Sequence, residues 1–394
     1  MVSLLVIIYI VFISLGLPDS MFGAAWPVVH KDLGIPENFA SYYGIITGIC
    51  SGGVSFIAGY VLRKFGTPKV TFVSIFLTAI GLLGISFSPN IISMIIFTII
   101  MSYGAGAIDT GLNNYISLHF KARHMSWLHC CWGLGVTISP LVLSFVLDSG
   151  NSWRDSYRII SIMQFTIALV VGIYLKKWID FDKKHSIAIE ETKDNETKEK
   201  LNIFKIKGLI TSILSQGFYC SMEFLIGTWG ATYLVNVFNY DPAVAAKWIS
   251  LYFCGIMLGR LVSGFVSIKL SDNSLIRSSI IISFIGILTL LLPLGQFSGF
   301  GLFFIGFGFG PIFPSILHAV PDRFGKKFSA DITGFHMGGA YGIGFFVQLI
   351  FGYIATATTF KITPFVLLMF CALLFIMNET TIKKVKSNEN SFDS

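Results

Sequence analysis

The sequence predicts an all-α integral membrane protein: twelve transmembrane helices in two pseudo-symmetric six-helix bundles. Three observations carry that expectation. The 394 residues are 54% hydrophobic and only 12% charged, with mean hydropathy +0.74, whereas soluble domains hold about 25% charged residues. Twelve stretches are apolar over the ~20 residues that a bilayer crossing needs. A single long polar segment, Phe181 to Asn202, separates the sixth from the seventh and divides the chain evenly. The expected organisation is a first bundle over 1–178, a cytoplasmic linker over 179–204, a second bundle over 205–379 and a cytoplasmic tail over 380–394.

The spans follow in order. The first, 3–29, has no basic leader and no small-residue cleavage site, so it reads as a retained helix and not a signal peptide. Pro18 and Pro27 weaken its backbone ladder on either side of Asp19. The second and third, 41–62 and 69–88, are joined through "GYVLRKFGTPKV". The fourth, 91–118, holds Asp109 inside "AGAIDTGLNNYIS", and the fifth, 126–147, opens with His129 and Trp132. The sixth, 156–177, runs into the linker. The seventh, 205–236, carries Glu223, and the eighth, 244–268, carries Arg260. The ninth and tenth, 274–294 and 297–320, are apolar throughout. The eleventh, 329–356, begins at Asp331, a partner for its positive helix end, and includes His336 and Tyr341. The twelfth, 359–378, leads into a lysine-rich tail.

Loop charge sets the expected orientation. Of the 28 Lys and Arg, only Lys31, Arg154, Arg158, Lys247 and Lys361 fall in the loops on one side, and Arg260 lies within a span. The remainder share the linker side, which places both termini in the cytoplasm and the protein in the plasma membrane. All six Cys lie in apolar runs and read as free, small hydrophobes. No Cys/His cluster has metal-ligand spacing, and no metal, cofactor or nucleic-acid partner is expected. The halves also repeat. Asp19 and Glu223, Gly59 and Gly264, and His129 and His336 are 204, 205 and 207 residues apart. A near-constant offset suits two parallel halves around a midplane site.

Acids within spans mark function by default, because a charge in the bilayer is costly. Asp109 shares a helical face with Asn113, with Asn114 beside it. Desolvation penalises the charged form of a carboxylate that has no cation nearby, and a group that can be neutralised in place can carry a proton. The bland reading is a permanent hydrogen-bonded link between helices. Asp19 is the second candidate, on a face continuing through Gly23 and Trp26. Glu223 is the third, on a face with Gln216, Tyr219 and Gly227, next to Trp229 two positions on. His129 with Trp132, and His336 with Tyr341, supply the donors and aromatic faces that a sugar ring would use, or they are satisfied core residues. Arg260 is read as an inter-helix latch.

The loop Gly59 to Val70 resembles the helix 2–3 signature of the major facilitator superfamily of secondary transporters, with Lys64, Gly66 and Lys69 in place and Arg63 where an acid is usual. "GRLVSG", Gly259 to Gly264, is similar to its second-half counterpart. "IDTGLNNY" resembles the helix-4 motif of the fucose:proton symporter-like sugar permeases, matching at Asp109, Thr110 and Asn113. The resemblance implies the major facilitator fold, proton coupling at Asp109, and a cytoplasmic gate at Arg63, Lys64, Gly66, Lys69 and Arg260. In that family the helix-1 acid stands where this chain has Gly23, one turn beyond Asp19. The expected function is transport of a small neutral polar solute, a sugar, with a proton and by a monomer. The alternatives are an exporter or flippase of a drug-like or lipid-like amphiphile, and a sensor that binds solute without moving it. No nucleophile–base pair points to an enzyme.

Overall fold

The computed structural model describes residues 2–119, 122–186, 206–292, 299–325 and 329–389. Its elements are helical: α1 (Val2–Asp19), α2 (Met21–Asp32), α3 (Phe39–Phe65), α4 (Thr67–Phe87), α5 (Ile91–His119), α6 (Ala122–Asp148), α7 (Trp153–Ser186), α8 (Leu209–Phe238), α9 (Pro242–Val266), α10 (Asp272–Thr289), α11 (Phe300–His318), the short α12 (Val320–Phe324), α13 (Ser329–Ala357) and α14 (Thr363–Glu389). Among the described residues eleven helical stretches are long and apolar enough to cross a membrane, the first formed by α1 and α2 together. With α3, 27 residues long, they account for the twelve expected spans. Large apolar side chains such as Phe145, Ile173 and Phe265 stand on the exterior at 72%, 70% and 68% exposure, a surface that only lipid would cover.

Three boundaries differ from the sequence expectation. The first span breaks at Ser20, just after Pro18, whose ring denies the ladder a donor. Helix α7 runs through Ser186 into the expected linker, and α14 runs through Glu389 into the expected tail. Both extensions are rich in Lys, Glu and Asp, which continue an established helix readily in water. Residues 187–205, most of the expected linker, lie outside the described residues.

Contacts divide the chain into two compact units that do not coincide with the sequence halves. The first comprises Met1–Pro18, Ile46–Gly135 and Arg154–Leu201. Its core gathers Ile8, Phe12 and Leu15 of α1, Ile108, Leu112 and Tyr115 of α5, Leu128 of α6, and Val171 and Trp178 of α7. Buried polar groups stitch α7 to its neighbours: Gln164 Nε2 donates to the Ser14 carbonyl at 2.8 Å, and Ser161 Oγ to that of Ala79 at 2.9 Å. Membrane helices gain little from apolar burial and associate through packing and such bonds.

The second unit comprises Asp19–Ile45, Val136–Trp153 and Asn202–Ser394. Here α9 packs on α11, α10 on α11, and α8 on α13 and α14. A Cβ at Gly259 would collide with the Phe307 carbonyl, which shows how closely α9 and α11 approach. The Asp241 side chain caps α9 by accepting from the Ala243 N–H at 2.9 Å, with Pro242 at the first helical position. Arg277 of α10 grips Glu379 of α14 through two 2.7 Å bonds.

Three segments of the sequence's first half belong to this second unit, because their ends opposite the linker side pack on second-half helices. Helix α2 crosses α8 so closely that a Cβ on Gly23 would lie 2.8 Å from the Gly227 carbonyl carbon. On α3, Gly44 faces the Gln348 side chain, and Ser41 faces Gly352 of α13. Ser250 Oγ of α9 donates to the Thr137 carbonyl of α6 at 2.7 Å. Beyond them Asn236 Nδ2 donates to both carboxylate oxygens of Glu37, at 3.0 and 3.2 Å.

Candidate functional site

Asp109 sits on α5 next to two core residues. Ile108 and Leu112 are fully buried, while Asp109 and Asn113 turn to the adjoining, half-buried face. The i, i+4 spacing brings the pair together: Asn113 Nδ2 donates to Asp109 Oδ1 at 2.8 Å and to its carbonyl at 3.0 Å. Among the described residues no cation lies at ion-pair distance from Asp109. The helix is held against α3 at this level, since a Cβ on Gly106 would lie 2.6 Å from the Ser51 carbonyl oxygen. The side chain of Asn114 lies outside the described ones.

His129 and Trp132 of α6 are half-buried in the same unit. The imidazole meets the edge of Phe12 of α1 with ring centroids 5.8 Å apart, and Trp132 packs against the core. Asp19 marks the end of α1 and is exposed between the buried Pro18 and Ser20.

Glu223 differs from Asp109 in one decisive respect. Its carboxylate lies 3.8 Å from the guanidinium of Arg260, with side chains 12% and 10% exposed. Arg260 therefore links α9 to α8 inside the second unit. The Tyr219 hydroxyl lies beside Glu223 without a well-aligned hydrogen bond. Gln216, one turn earlier, is fully buried. Tyr341 is 37% exposed and stacks on Phe224.

Three expected substrate contacts are fully buried in this structure. Trp26 is fully buried and donates its indole N–H to the Glu37 carbonyl at 2.8 Å. Trp229 is fully buried against Phe351 and Phe360. His336 is fully buried, with Nδ1 on the Ile332 carbonyl at 3.0 Å and Nε2 on Ser212 Oγ at 2.9 Å, tying α13 to α8. Sequence reasoning passed over Glu37 and Tyr252. The first reads as an ordinary loop acid, the second as one aromatic among many.

At the helix 2–3 loop Lys64 is exposed, with its ammonium over the rings of Tyr60 and Phe65 at 5.8 and 5.4 Å. Gly66 takes φ +80° at the start of α4, a backbone angle that favours glycine. Lys69 is exposed. The side chains of Arg63 and Asp331 lie outside the described ones. None of the six cysteines forms a disulfide, and the described residues contain no cluster fit to hold a metal ion.

Twelve spans, a helix 2–3 signature and an intramembrane acid on the fourth span are now joined by comparison with known proteins. The sequence profile of the Major Facilitator Superfamily matches residues 8–349. This chain belongs to the Major Facilitator Superfamily. It is a transporter of that superfamily and not an enzyme. Among curated proteins it is 24% identical to the glucose/mannose transporter GlcP of Bacillus subtilis (strain 168), covering 80% of this chain and 79% of that one. It is also 24% identical to a putative glucose/galactose transporter of Helicobacter pylori (strain J99), over 74% and 76% of the two chains. Among solved structures the D-xylose–proton symporter superposes with a TM-score of 0.75 at 12% identity, covering 97% of each chain. The nucleoside transporter NupG gives 0.72 at 14% identity, over 96% and 98%. These likenesses establish the major facilitator fold of this superfamily member.

Proposed function

We propose that this superfamily member carries a sugar across the plasma membrane together with a proton, and that Asp109 is the group that takes and gives up the proton. The observation that carries the reading is the contrast between the two helix-borne acids. Glu223 has Arg260 to balance its charge, whereas among the described residues Asp109 is bonded by the neutral amide of Asn113. An arginine at ion-pair distance offsets the charge of a carboxylate, and a carboxylate without such a partner is the better placed to take up a proton. Proton entry would relieve the cost of a bare charge during reorganisation of the two six-helix halves. It would thereby bias one state over the other, as coupling requires. Relatives that are named for glucose, mannose and galactose support a hexose as solute. His129 and Trp132, an imidazole and an indole one turn apart, supply a donor and a stacking face for such a ring. In this reading both termini are cytoplasmic, and Lys64, Gly66 and Lys69 form part of the gate on that side.

The test uses Asp109→Asn in proteoliposomes with labelled D-glucose. The amide mimics the neutral acid and cannot titrate, so solute exchange at equal pH should persist while accumulation driven by a pH gradient disappears. Retained proton-driven accumulation would move the role to Asp19 or Glu223. Joint loss of exchange, accumulation and thermal stability would make Asp109 a structural residue.

A further inference from the structure

At one end of the second unit a cavity of about 240 Å³ opens between the start of α10, the short α12 and the end of α14. This is the linker end, since Gly208, where α8 begins, lies against Lys384 of α14. Ser271, Asp272 and Asn273 line the cavity from α10, Asp322 and Arg323 from α12, and Lys386 from α14. Arg323 is the informative residue. Its Nη2 donates to Asn273 Oδ1 at 2.7 Å and to Asn378 Oδ1 at 3.3 Å, so neutral amides hold the guanidinium and leave its charge unanswered. The carboxylates within electrostatic reach of it are Asp272 and Glu379. Each is engaged elsewhere. Asp272 accepts from His318 Nδ1 at 2.9 Å, and Glu379 accepts from Arg277 through two 2.7 Å bonds. Lys386 and Asp322 are exposed, and among the described residues neither has an ion-pair partner. The cavity therefore presents two uncommitted cations, from two different elements, and one uncommitted carboxylate.

We propose that this cavity binds a sugar monophosphate, a reading that rests on the sugar-transport function above, in which the linker end faces the cytoplasm. Arg323 offers a planar fork and Lys386 a point charge, both suited to phosphate oxygens. A bare phosphate would set Asp322 against a like charge. A hydroxyl instead donates to that carboxylate and accepts from the Asn273 amide, so the ligand carries hydroxyl groups beside its phosphate. The space is smaller than the roughly 300–1,000 Å³ of drug-sized sites, which suits a monosaccharide better than a nucleotide. A hexose delivered on this side becomes such a ligand by phosphoryl transfer to one of its hydroxyls. The added charge then bars its return along a path for neutral solute. None of the cavity's residues belongs to the Asp109–Asn113 or Glu223–Arg260 pairs, so the phosphorylated sugar binds apart from the carried one.

The experiment is calorimetric titration of the purified full chain with D-glucose 6-phosphate, D-glucose and inorganic phosphate, with glucose counterflow measured on the same preparation. Glucose 6-phosphate should bind more tightly than inorganic phosphate, and saturating glucose should not displace it. Lys386→Gln and Arg323→Gln should each raise its dissociation constant about tenfold or more, in line with one lost charged hydrogen bond. Lys386 is exposed and carries the test if the arginine variant fails to insert. Asp322→Ala should bring the two dissociation constants, for the sugar phosphate and for phosphate, closer together. Equal binding of both ligands by the wild-type protein, or unchanged affinity in Lys386→Gln, would overturn the assignment. Displacement of glucose 6-phosphate by phosphatidylglycerol in nanodiscs, and not by phosphatidylcholine, would give the cavity to a lipid headgroup and overturn it as well. Counterflow without any binding of glucose 6-phosphate would remove the cavity's ligand and leave sugar transport standing. Binding without hexose counterflow would remove the transport reading and leave the cavity's ligand in place.

Discussion

The crossing of α2 over α8 allows a quantitative test. A methyl group at Gly23 would sit 2.8 Å from the Gly227 carbonyl carbon and 2.9 Å from Thr228 Cα, with the Gly227 oxygen nearer still. Non-bonded carbons settle at about 3.5–4.0 Å, so Gly23→Ala forces the two helices apart by roughly 1 Å. Overpacking of that kind costs about 1–3 kcal/mol. At ~1.4 kcal/mol per factor of ten, the packed arrangement loses roughly fivefold to 150-fold in population. Ser41, 1% exposed and facing Gly352 in the same packed region, reports on it. In a background without the six native cysteines, Ser41→Cys should resist a membrane-impermeant maleimide, and adding Gly23→Ala should raise its labelling rate by at least fivefold. Gly264→Ala, at a position with nothing within 4 Å, is the control and should change nothing. Labelling of the Gly23→Ala variant at the parent rate, with transport intact, would refute the inference that this approach sets how tightly that end is packed.

Other outcomes follow from the same contacts. Arg260→Ala strands the carboxylate of Glu223 and should cost about 3–5 kcal/mol. Adding Glu223→Gln should restore much of the melting temperature, and no recovery would mean the pair is not the stabilising unit. Arg277→Ala breaks a pair whose side chains are 46% and 23% exposed. It should therefore cost no more than ~1 kcal/mol, and a melt as low as that of Arg260→Ala would contradict the ranking. Gly259→Ala should lower the melting temperature, because its methyl would meet the Phe307 carbonyl between α9 and α11. Cysteines placed at Ser186 and Ser387 should react from the same side of the membrane, and reaction from opposite sides would remove the proposed orientation.

The spans were legible because a bilayer crossing is a length of apolar chain, and hydropathy measures that length directly. Their ends were less so, since α7 and α14 continue as solvated helix where hydropathy has already fallen. The Asp109–Asn113 bond was readable from a four-residue spacing within one helix. The Glu223–Arg260 pair was half-readable: each residue stands out in an apolar span, but their meeting depends on how α8 and α9 are rotated. The burial of Trp26, Trp229 and His336 was not readable for a related reason. In a soluble helix the polar stripe marks the outside, whereas here lipid-facing and core-facing positions are both apolar. Nothing in the pattern distinguishes a packed indole from one that lines a solute path.

The membership of α2 and of the adjoining ends of α3 and α6 in the second unit bears on how the chain is made. Spans enter the membrane in order, so these helices are in place before α8, α9 and α13 exist to cover them. Until the seventh span emerges, the carbonyl of Thr137 has no Ser250, Glu37 has no Asn236, and the small surface at Gly23 lies open. Completion of the first six spans therefore awaits the later ones, and the polar stretch between the sixth and seventh must be long enough for the nascent second half to turn back onto them. A ribosome that stalls within Phe181 to Asn202 would release a six-span fragment whose ends opposite that stretch remain unfinished, the sort of intermediate that membrane quality control removes.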